Sequence, residues 1–435
     1  EDGLKYDMQK GTDLMDKYYL FLEKGLSLLT EDGVLGYIIP HKFMTIKSGK
    51  ELRGLLANHR YVRKIYHFGT FQAFKARSTY TCIVLLSKKP QDNFEIAFIQ
   101  DWNRFLFEHG AVCDIYPAAY LSEQPWTFLP KAVESALEQI KSKCVPLKSI
   151  AEIFVGVQTS ADKIYVVQAE EEDEQTITFT GQDNVRRKIE RGILRKCVYD
   201  AKLLKYNRIK ANSYIIFPYR NVEGKSVLIK RTELKQMYPL TYSYLCEFRD
   251  ELDRRNMPNR TDDNWYGYGR SQSIRRFTGG EHLIWPVLSL DSNYVYDNEM
   301  VVFTGGGNGP FYGLALKKGI KESVFYIQAV LNHRIMELLV KNKASMFRGG
   351  YYSHGKQYIA ELPVYKIDFT DEGDRRVHED IVSHVKMIME LSQKKAQAGN
   401  HAEGKVLQRA IEVRQQELDR LIEGIYGVEV PKAEE

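Results

Sequence analysis

Phe68-Gly-Thr-Phe-Gln-Ala-Phe74, followed by Thr79-Tyr-Thr-Cys-Ile-Val-Leu-Leu86, is the stretch on which the reading of this chain turns. Three aromatic rings surround a glycine-marked turn. The second run is apolar and β-branched until Ser87-Lys-Lys-Pro90 ends it, so it reads as a buried strand. A turn that delivers rings to the start of such a strand can present a ring face to a flat ligand.

Upstream of this stretch, helix and strand alternate. Tyr19, Leu20, Leu22, Leu26 and Leu29 form a helical stripe within residues 16–29, and Glu31-Asp-Gly33 stops it. Gly33-Val-Leu-Gly-Tyr-Ile-Ile-Pro40 is a short apolar run ending on proline, the pattern of a buried parallel strand. Residues 48–59 form a second helix with Leu52, Leu55 and Leu56 on one side. Residues 62–69 form a strand, and residues 80–86 the last one. Helix, strand, helix, strand, strand is the tail of a doubly wound α/β sheet. Such a sheet normally opens on a strand and a glycine-rich turn that cradles a cofactor. No Gly-x-Gly-x-x-Gly occurs here, so the sheet is expected to lack its first strands and the chain to be part of a larger protein.

Downstream, residues 91–145 read as a bridging segment, with a strand at Phe94-Glu-Ile-Ala-Phe-Ile99 and a helix over residues 129–143. From residue 146 to 367, short β-like runs alternate with polar loops, and helical runs interrupt them near residues 240–253 and 324–341. This is the texture of an α+β domain. In residues 368–435, Val377, Ile381, Val385 and Ile388 repeat at helical spacing. After Ala398-Gly-Asn, so do Leu407, Ile411, Leu418 and Leu421. Two such helices form a hairpin that packs on the main domain or on another subunit.

Composition narrows the class. Apolar residues make up 43% and charged residues 27%, ordinary for a globular protein, whereas 28 Tyr and 20 Phe lift the aromatics to 12%. No apolar run approaches the roughly 20 residues that span a bilayer, and the first residues carry no secretory signal. Five scattered cysteines without a Cys-x-x-Cys pair argue for reduced thiols and a cytoplasmic protein. Net charge is only +5, but residues 186–210 hold ten Lys or Arg against two acids. Such a density can hold a polyphosphate backbone or can be a solvated basic face. The ten histidines form no His-Glu-x-x-His and no Gly-x-Ser-x-Gly elbow is present, so no metal centre is expected. Any cleavage module is expected upstream or on another chain.

Several motifs agree in order and spacing over residues 13–90. They are Asp16-Lys-Tyr-Tyr-Leu-Phe-Leu-Glu-Lys-Gly25, Asp32-Gly-Val-Leu-Gly-Tyr-Ile-Ile-Pro40, residues 62–69, and Phe71-Gln-Ala-Phe74 leading into Tyr80-Thr-Cys-Ile-Val-Leu. This part resembles the second half of the catalytic domain of γ-type DNA adenine-N6 methyltransferases, including combined restriction-modification enzymes. Residues 145–365 resemble the TaqI-like specificity domain that follows it. The marks there are Val155-Gly-Val-Gln-Thr159, Tyr266-Gly-Tyr-Gly-Arg-Ser-Gln272, Thr304-Gly-Gly-Gly-Asn-Gly309 and Phe347-Arg-Gly-Gly-Tyr-Tyr-Ser-His-Gly-Lys-Gln357. The resemblance implies four parts: a truncated catalytic sheet over 1–90, the bridge over 91–145, a target-recognition domain over 146–367 and a helical tail over 368–435.

It also implies double-stranded DNA as partner, a missing amino-terminal catalytic half, and a restriction subunit as a further possible partner. The family's glycine-rich cofactor motif and its Asn-Pro-Pro-Tyr motif lie ahead of the matching region, and no Pro-Pro occurs in this chain. S-adenosylmethionine is therefore expected in the full-length parent and not on this fragment, which alone is expected to be inactive. Phe74 matches the ring that stacks on the extruded base, with Phe71 as the other candidate. Lys75 and Arg77 flank it as phosphate contacts. Asp16 and Tyr19 match a helix lining the cofactor pocket, although Asp16 also fits a helix N-cap. Pro40 and Lys42-Phe-Met44 follow a strand's carboxyl end, where open α/β sheets bind ligands.

In the specificity domain, the candidates for contacts to bases and phosphates are Arg186, Arg187, Arg191, Lys210, Arg270, Gln272, Arg275, Arg276, Arg348, His354, Lys356 and Gln357. Thr304-Gly-Gly-Gly-Asn-Gly309 lacks the ending of a P-loop and reads as a tight turn. Two other readings stand beside this one. One is a non-catalytic DNA-specificity module that recruits a separate subunit. The other is an RNA methyltransferase fragment, because base flipping and aromatic stacking serve RNA as well.

Overall fold

The computed structural model describes residues 16–69, 71, 73–74, 79–99, 102–107, 111–129, 131–270, 273–277, 280–305, 310–344, 346–347 and 349–428. The chain divides into two compact units. The first comprises the described residues up to Leu129 together with 341–353. The second comprises the described residues of 130–340 and 354–435.

The first unit is built on one sheet. Helix α1 (Tyr18–Leu28) leads into β1 (Val34–Pro40), helix α2 (Lys50–Asn58) into β2 (Val62–His67), and then come β3 (Thr81–Ser87), β4 (Asn93–Phe98) and β5 (Asp114–Pro117). The strand order is β1-β3-β2-β4-β5. The run from Thr79 to Leu86 forms the strand its composition predicts. Thr81, Cys82, Val84, Leu85 and Leu86 belong to β3, which is buried along most of its length because it has a neighbour on each edge.

Two expectations are corrected. β1 is not hydrogen-bonded to a parallel neighbour: it runs antiparallel to β3, with Val34 opposite Ser87 and Pro40 opposite Thr81. β3 is also antiparallel to β2, so β1 and β2 point the same way with β3 between them. Among the described residues, only β2 and β4 pair in parallel within this sheet. Nor does the sheet end at residue 86. The segment expected as a bridge supplies β4 and β5, because Phe94, Ile96 and Tyr116 carry the apolar side chains that continue the core. That core also contains Tyr19, Leu22 and Leu26 of α1, Leu52 and Leu56 of α2, and Trp126.

The second unit has several small sheets around a larger core. One four-stranded antiparallel sheet runs in the order Val295–Asp297, His282–Pro286, Phe311–Leu316, Ala151–Val155. A second runs Val302–Phe303, Leu194–Val198, Ser213–Ile216, Val166–Val167, and its pairing of Cys197 with Val302 is parallel. A third holds Arg186–Glu190, Thr176–Thr180 and Glu171–Glu172. The expected helical run near 240–253 is two helices, Pro239–Glu247 and Arg249–Asp253.

The two terminal helices, Glu372–Ala396 and His401–Tyr426, form the expected hairpin and belong to this unit. Asn400 caps the second helix by accepting from the Glu403 N–H at 2.9 Å. Gly427 ends it at φ +66°, a left-handed conformation that suits glycine. The Tyr426 hydroxyl anchors the hairpin by donating to the Pro363 carbonyl at 2.8 Å. No described helix is long and apolar enough to cross a membrane.

Candidate nucleic-acid interface

The ring-bearing loop leaves the carboxyl end of β2. Phe68 is buried and its carbonyl accepts from the Phe71 N–H at 2.9 Å, while Gly69 at φ +52° allows the reversal. Phe74 is 47% exposed and Phe71 37%. The solvent-facing ring that the turn chemistry called for is therefore present, with Phe74 the more open of the two. Lys75 and Arg77 lie outside the described residues, as do Gln272 and Arg348.

Two histidines that sequence reasoning did not single out sit at the same end of the sheet. His41 follows the last residue of β1 and His67 closes β2. Their rings stand 4.4 Å apart, and Phe98 and Tyr80 lie close by. The Gly69 N–H donates to His67 Nδ1 at 3.1 Å, so this imidazole helps to hold the loop's first turn. Burial pushes His41 down to about 4. Burial and the neighbouring His41 push His67 down to about 3.

Both imidazoles are thus neutral in the folded unit at pH values where the unfolded chain begins to protonate them. Their contribution to stability is complete above about pH 6.5 and is lost as the pH falls toward about 3–4. In urea denaturation of the first unit, the midpoint is expected to drop between about pH 7 and pH 5. A His41→Gln/His67→Gln double variant should show a smaller drop, and equal drops in the two proteins would reject the assignment.

Asp16 and Tyr19 differ in exposure, Asp16 being half-buried and Tyr19 enclosed. The Asp16 carboxylate pairs with Lys42 at 2.9 Å instead of capping α1, whose N-cap position is Lys17. Tyr19 is fully buried in the core, and burial raises its pKa. Among the described residues there is no group of three or more His, Cys, Asp or Glu that could hold a metal ion.

Five of the ten cations in residues 186–210 are paired with acids of the same unit. Strand Arg186–Glu190 belongs to the same small sheet as Glu171–Glu172, and the acidic run 170–174 meets it. Arg186 pairs with Glu171 at 2.6 Å, Lys188 with Asp173 at 3.2 Å and Arg191 with Glu172 at 3.7 Å. Arg187 is clamped between Asp183 (2.6 Å) and Glu247 (2.7 Å) and lies over the Tyr244 and Phe248 rings. The Arg187 guanidinium holds the Asp183 carboxyl down at about 2.

Arg195 donates to the Phe277 carbonyl, and Lys196 pairs with Glu299. Besides Arg195, the cations of this cluster without an ion pair among the described residues are Lys202, Lys205, Arg208 and Lys210. Of these, Lys202, Arg208 and Lys210 line a cavity of about 440 Å³ together with Gln393 and Gln397. The free positive charge therefore sits in the loop after the strands and not on Arg186, Arg187 or Arg191.

Arg270, Arg275, Lys356 and Gln357 are exposed, whereas Arg276 is half-buried, pairs with Glu152 and lies over the Phe154 ring. His354 is corrected to a core residue. It is 1% exposed, its backbone N–H donates to the Val287 carbonyl at 2.6 Å, and its Nε2 stands 2.9 Å from the Glu337 carboxylate. A side chain so enclosed offers nothing to a base edge.

Comparison with known proteins bears on this arrangement. The sequence model of the Eco57I restriction-modification methylase family matches residues 2–74. The type II restriction enzyme and methyltransferase RM.Eco57I of Escherichia coli is 28% identical over 439 residues, covering 97% of this chain and 44% of that protein. The type II methyltransferase M.HindII of Haemophilus influenzae is 23% identical over 404 residues, covering 86% of this chain and 72% of that protein. The chain thus spans less than half the length of the first of these relatives. Among solved structures, that of the type IIL restriction-modification enzyme MmeI in complex with DNA superimposes with a TM-score of 0.57. It does so at 11% identity, over 98% of this chain and 51% of that one, a likeness of fold. The homologues of this chain are type II restriction-modification methyltransferases.

Proposed function

We propose that the chain is the carboxyl-terminal part of a site-specific DNA adenine-N6 methyltransferase of a restriction-modification system. The observation that carries this reading is the open Phe74 ring on a loop at the carboxyl end of β2. In this reading Phe74 covers one face of an adenine turned out of the duplex, and Lys75 and Arg77 hold the neighbouring phosphates. The second unit is the target-recognition part and grips duplex DNA through cations such as Lys210 and Lys356. The hairpin of residues 372–426 braces that unit.

S-adenosylmethionine and the groups that accept hydrogen bonds from the adenine amino group belong, in this reading, to residues ahead of Glu1. No transfer step is assigned to the residues described here, and the chain alone is expected to be inactive. The outer edge of the sheet supports such a covering half. Among the described residues β1 has a neighbour on one side only, and Val34 and Ile38 on it are exposed. Leu20, Phe21 and Leu28 of α1 are exposed as well. An unpaired edge strand beside apolar surface calls for further pairing and cover.

The test joins the chain to its upstream coding sequence and follows labelled methyl transfer from S-adenosylmethionine to duplex DNA. Label is expected on adenine N6. Phe74→Ala should lower transfer about 5- to 150-fold, the equivalent of the roughly 1–3 kcal/mol that one base–ring stack contributes. Label on cytosine, or structured RNA outcompeting duplex DNA at the same salt concentration, would reject the reading.

A further inference from the structure

The described parts of three motifs noted in the sequence, residues 155–159, 266–270 and 304–305, meet in the second unit although they lie far apart in the chain. The segment after strand Ala151–Val155 bridges to Thr304 through Val157 and to Arg270 through Gln158. The Val157 N–H donates to the Phe303 carbonyl at 2.9 Å, and the Gly269 N–H to the Thr159 carbonyl at 3.1 Å. At Gly156 the backbones pass too close for a side chain, and at Gly269 the Ser160 side chain takes the space. A Cβ at Gly156 would lie 2.4 Å from the Phe303 carbonyl oxygen, and one at Gly269 2.2 Å from Ser160 Oγ.

One guanidinium locks the junction from behind. Arg255 donates to the carbonyls of Thr159 (2.7 Å), Gly267 (3.0 Å), Trp265 (2.6 Å) and Leu252 (2.9 Å).

The junction walls a cavity of about 670 Å³, and its polar lining includes Gln158, Asp162, Lys163, Glu251, Asn256 and Arg270. Two cations face two acids, so the rim has no net charge to attract a phosphate chain. The acids are also engaged. Asp162 accepts from the Thr159 hydroxyl, and Glu251 from Gln182 at 2.9 Å. Arg270 and Lys163 make no ion pair among the described residues, and the carboxamides of Gln158 and Asn256 each offer a donor and an acceptor. Carboxamides match the donor–acceptor pair on adenine, and a free guanidinium matches the acceptor pair on guanine. Neutral, mixed and held rigid from behind, this rim suits base edges better than phosphates.

We propose that this cavity is the base-reading pocket of the chain, with Gln158, Asn256 and Arg270 as specificity-determining residues. The proposal rests on the DNA reading above. Its test selects binding sites from a randomised duplex pool at one fixed salt concentration, using the full chain and the variants Gln158→Ala, Asn256→Ala, Arg270→Ala and Arg270→Lys. The variants at Asn256 and Arg270 alter exposed side chains and should leave the unfolding midpoint unchanged.

Each alanine variant is expected to relax preference at one or two base positions by about 5- to 150-fold, while binding to unrelated duplex stays constant. An unchanged preference in all variants overturns the proposal and leaves the DNA reading standing. So does a uniform loss across sequences with the salt slope reduced by about one, the mark of a phosphate contact. Absence of duplex binding by the unaltered chain overturns both.

Discussion

Replacing His354 with leucine is expected to cost the second unit about 3–5 kcal/mol of folding stability and to leave duplex affinity unchanged while the unit stays folded. His354 Nε2 and the Ser292 hydroxyl both meet Glu337 Oε2, at 2.9 and 2.5 Å, and all three residues are buried. Trp285 ties in the backbone by donating from its indole nitrogen to the His354 carbonyl at 2.9 Å. Without the imidazole, the Glu337 carboxylate loses a principal partner in a place where water does not replace it. A Glu337→Leu/His354→Leu double variant should regain most of the loss, because an apolar pair carries no desolvation cost. Urea denaturation followed by the fluorescence of Trp285 and Trp265 reads both effects. If the single variant unfolds at the original midpoint but binds duplex more weakly, His354 is a DNA contact and the core assignment is wrong.

Arg53→Met is expected to cost the first unit a similar amount, about 3–5 kcal/mol, because one buried guanidinium serves three carbonyls. Arg53 is 2% exposed. It donates to Phe43 at 2.6 Å, to Ile46 at 2.8 Å and to Glu123 at 3.0 Å. It thereby fastens α2 both to the turn after β1 and to the segment that carries Trp126. Gly49 lies so close beneath this turn that a Cβ there would meet the Phe43 carbonyl oxygen at 2.1 Å. Methionine fills the volume and satisfies none of the acceptors. Lysine brings one charged point to a site that uses a fork, so Arg53→Lys should recover only part of the loss. Denaturation monitored at Trp126 measures this. A midpoint for Arg53→Met within about 0.5 kcal/mol of the unaltered protein would mean that the three carbonyls find other donors.

Both side chains also show where a reading of residues in order runs out. The stripe of Tyr19, Leu22 and Leu26 predicts α1 because helical periodicity is local, and Val377, Ile381, Val385 and Ile388 predict the first terminal helix for the same reason. The apolar run through Thr81–Leu86 predicts β3, and the glycine among aromatics at 68–74 predicts a turn that can present a ring face. Each of these signals lies within a few residues of the structure it specifies.

Direction and partnership lie beyond that range. That β3 returns between β1 and β2, and that β4 and β5 extend the same sheet, depends on which edges meet after collapse. Arg187 looks like a free cation until Glu247, sixty residues further on, closes over it. His354 sits among glycines and donors that read as a DNA-facing loop, yet the fold turns its ring toward Glu337. The amino-acid sequence by itself determined the helices, the strands, the ring-bearing turn and the excess of basic residues. The tertiary structure decided which charges are spent on one another, which ring is buried, and which glycine-rich segments meet around a cavity. A charge is neutralised, and a backbone approached, by whatever folding brings within a few ångströms, and distance along the chain does not measure that.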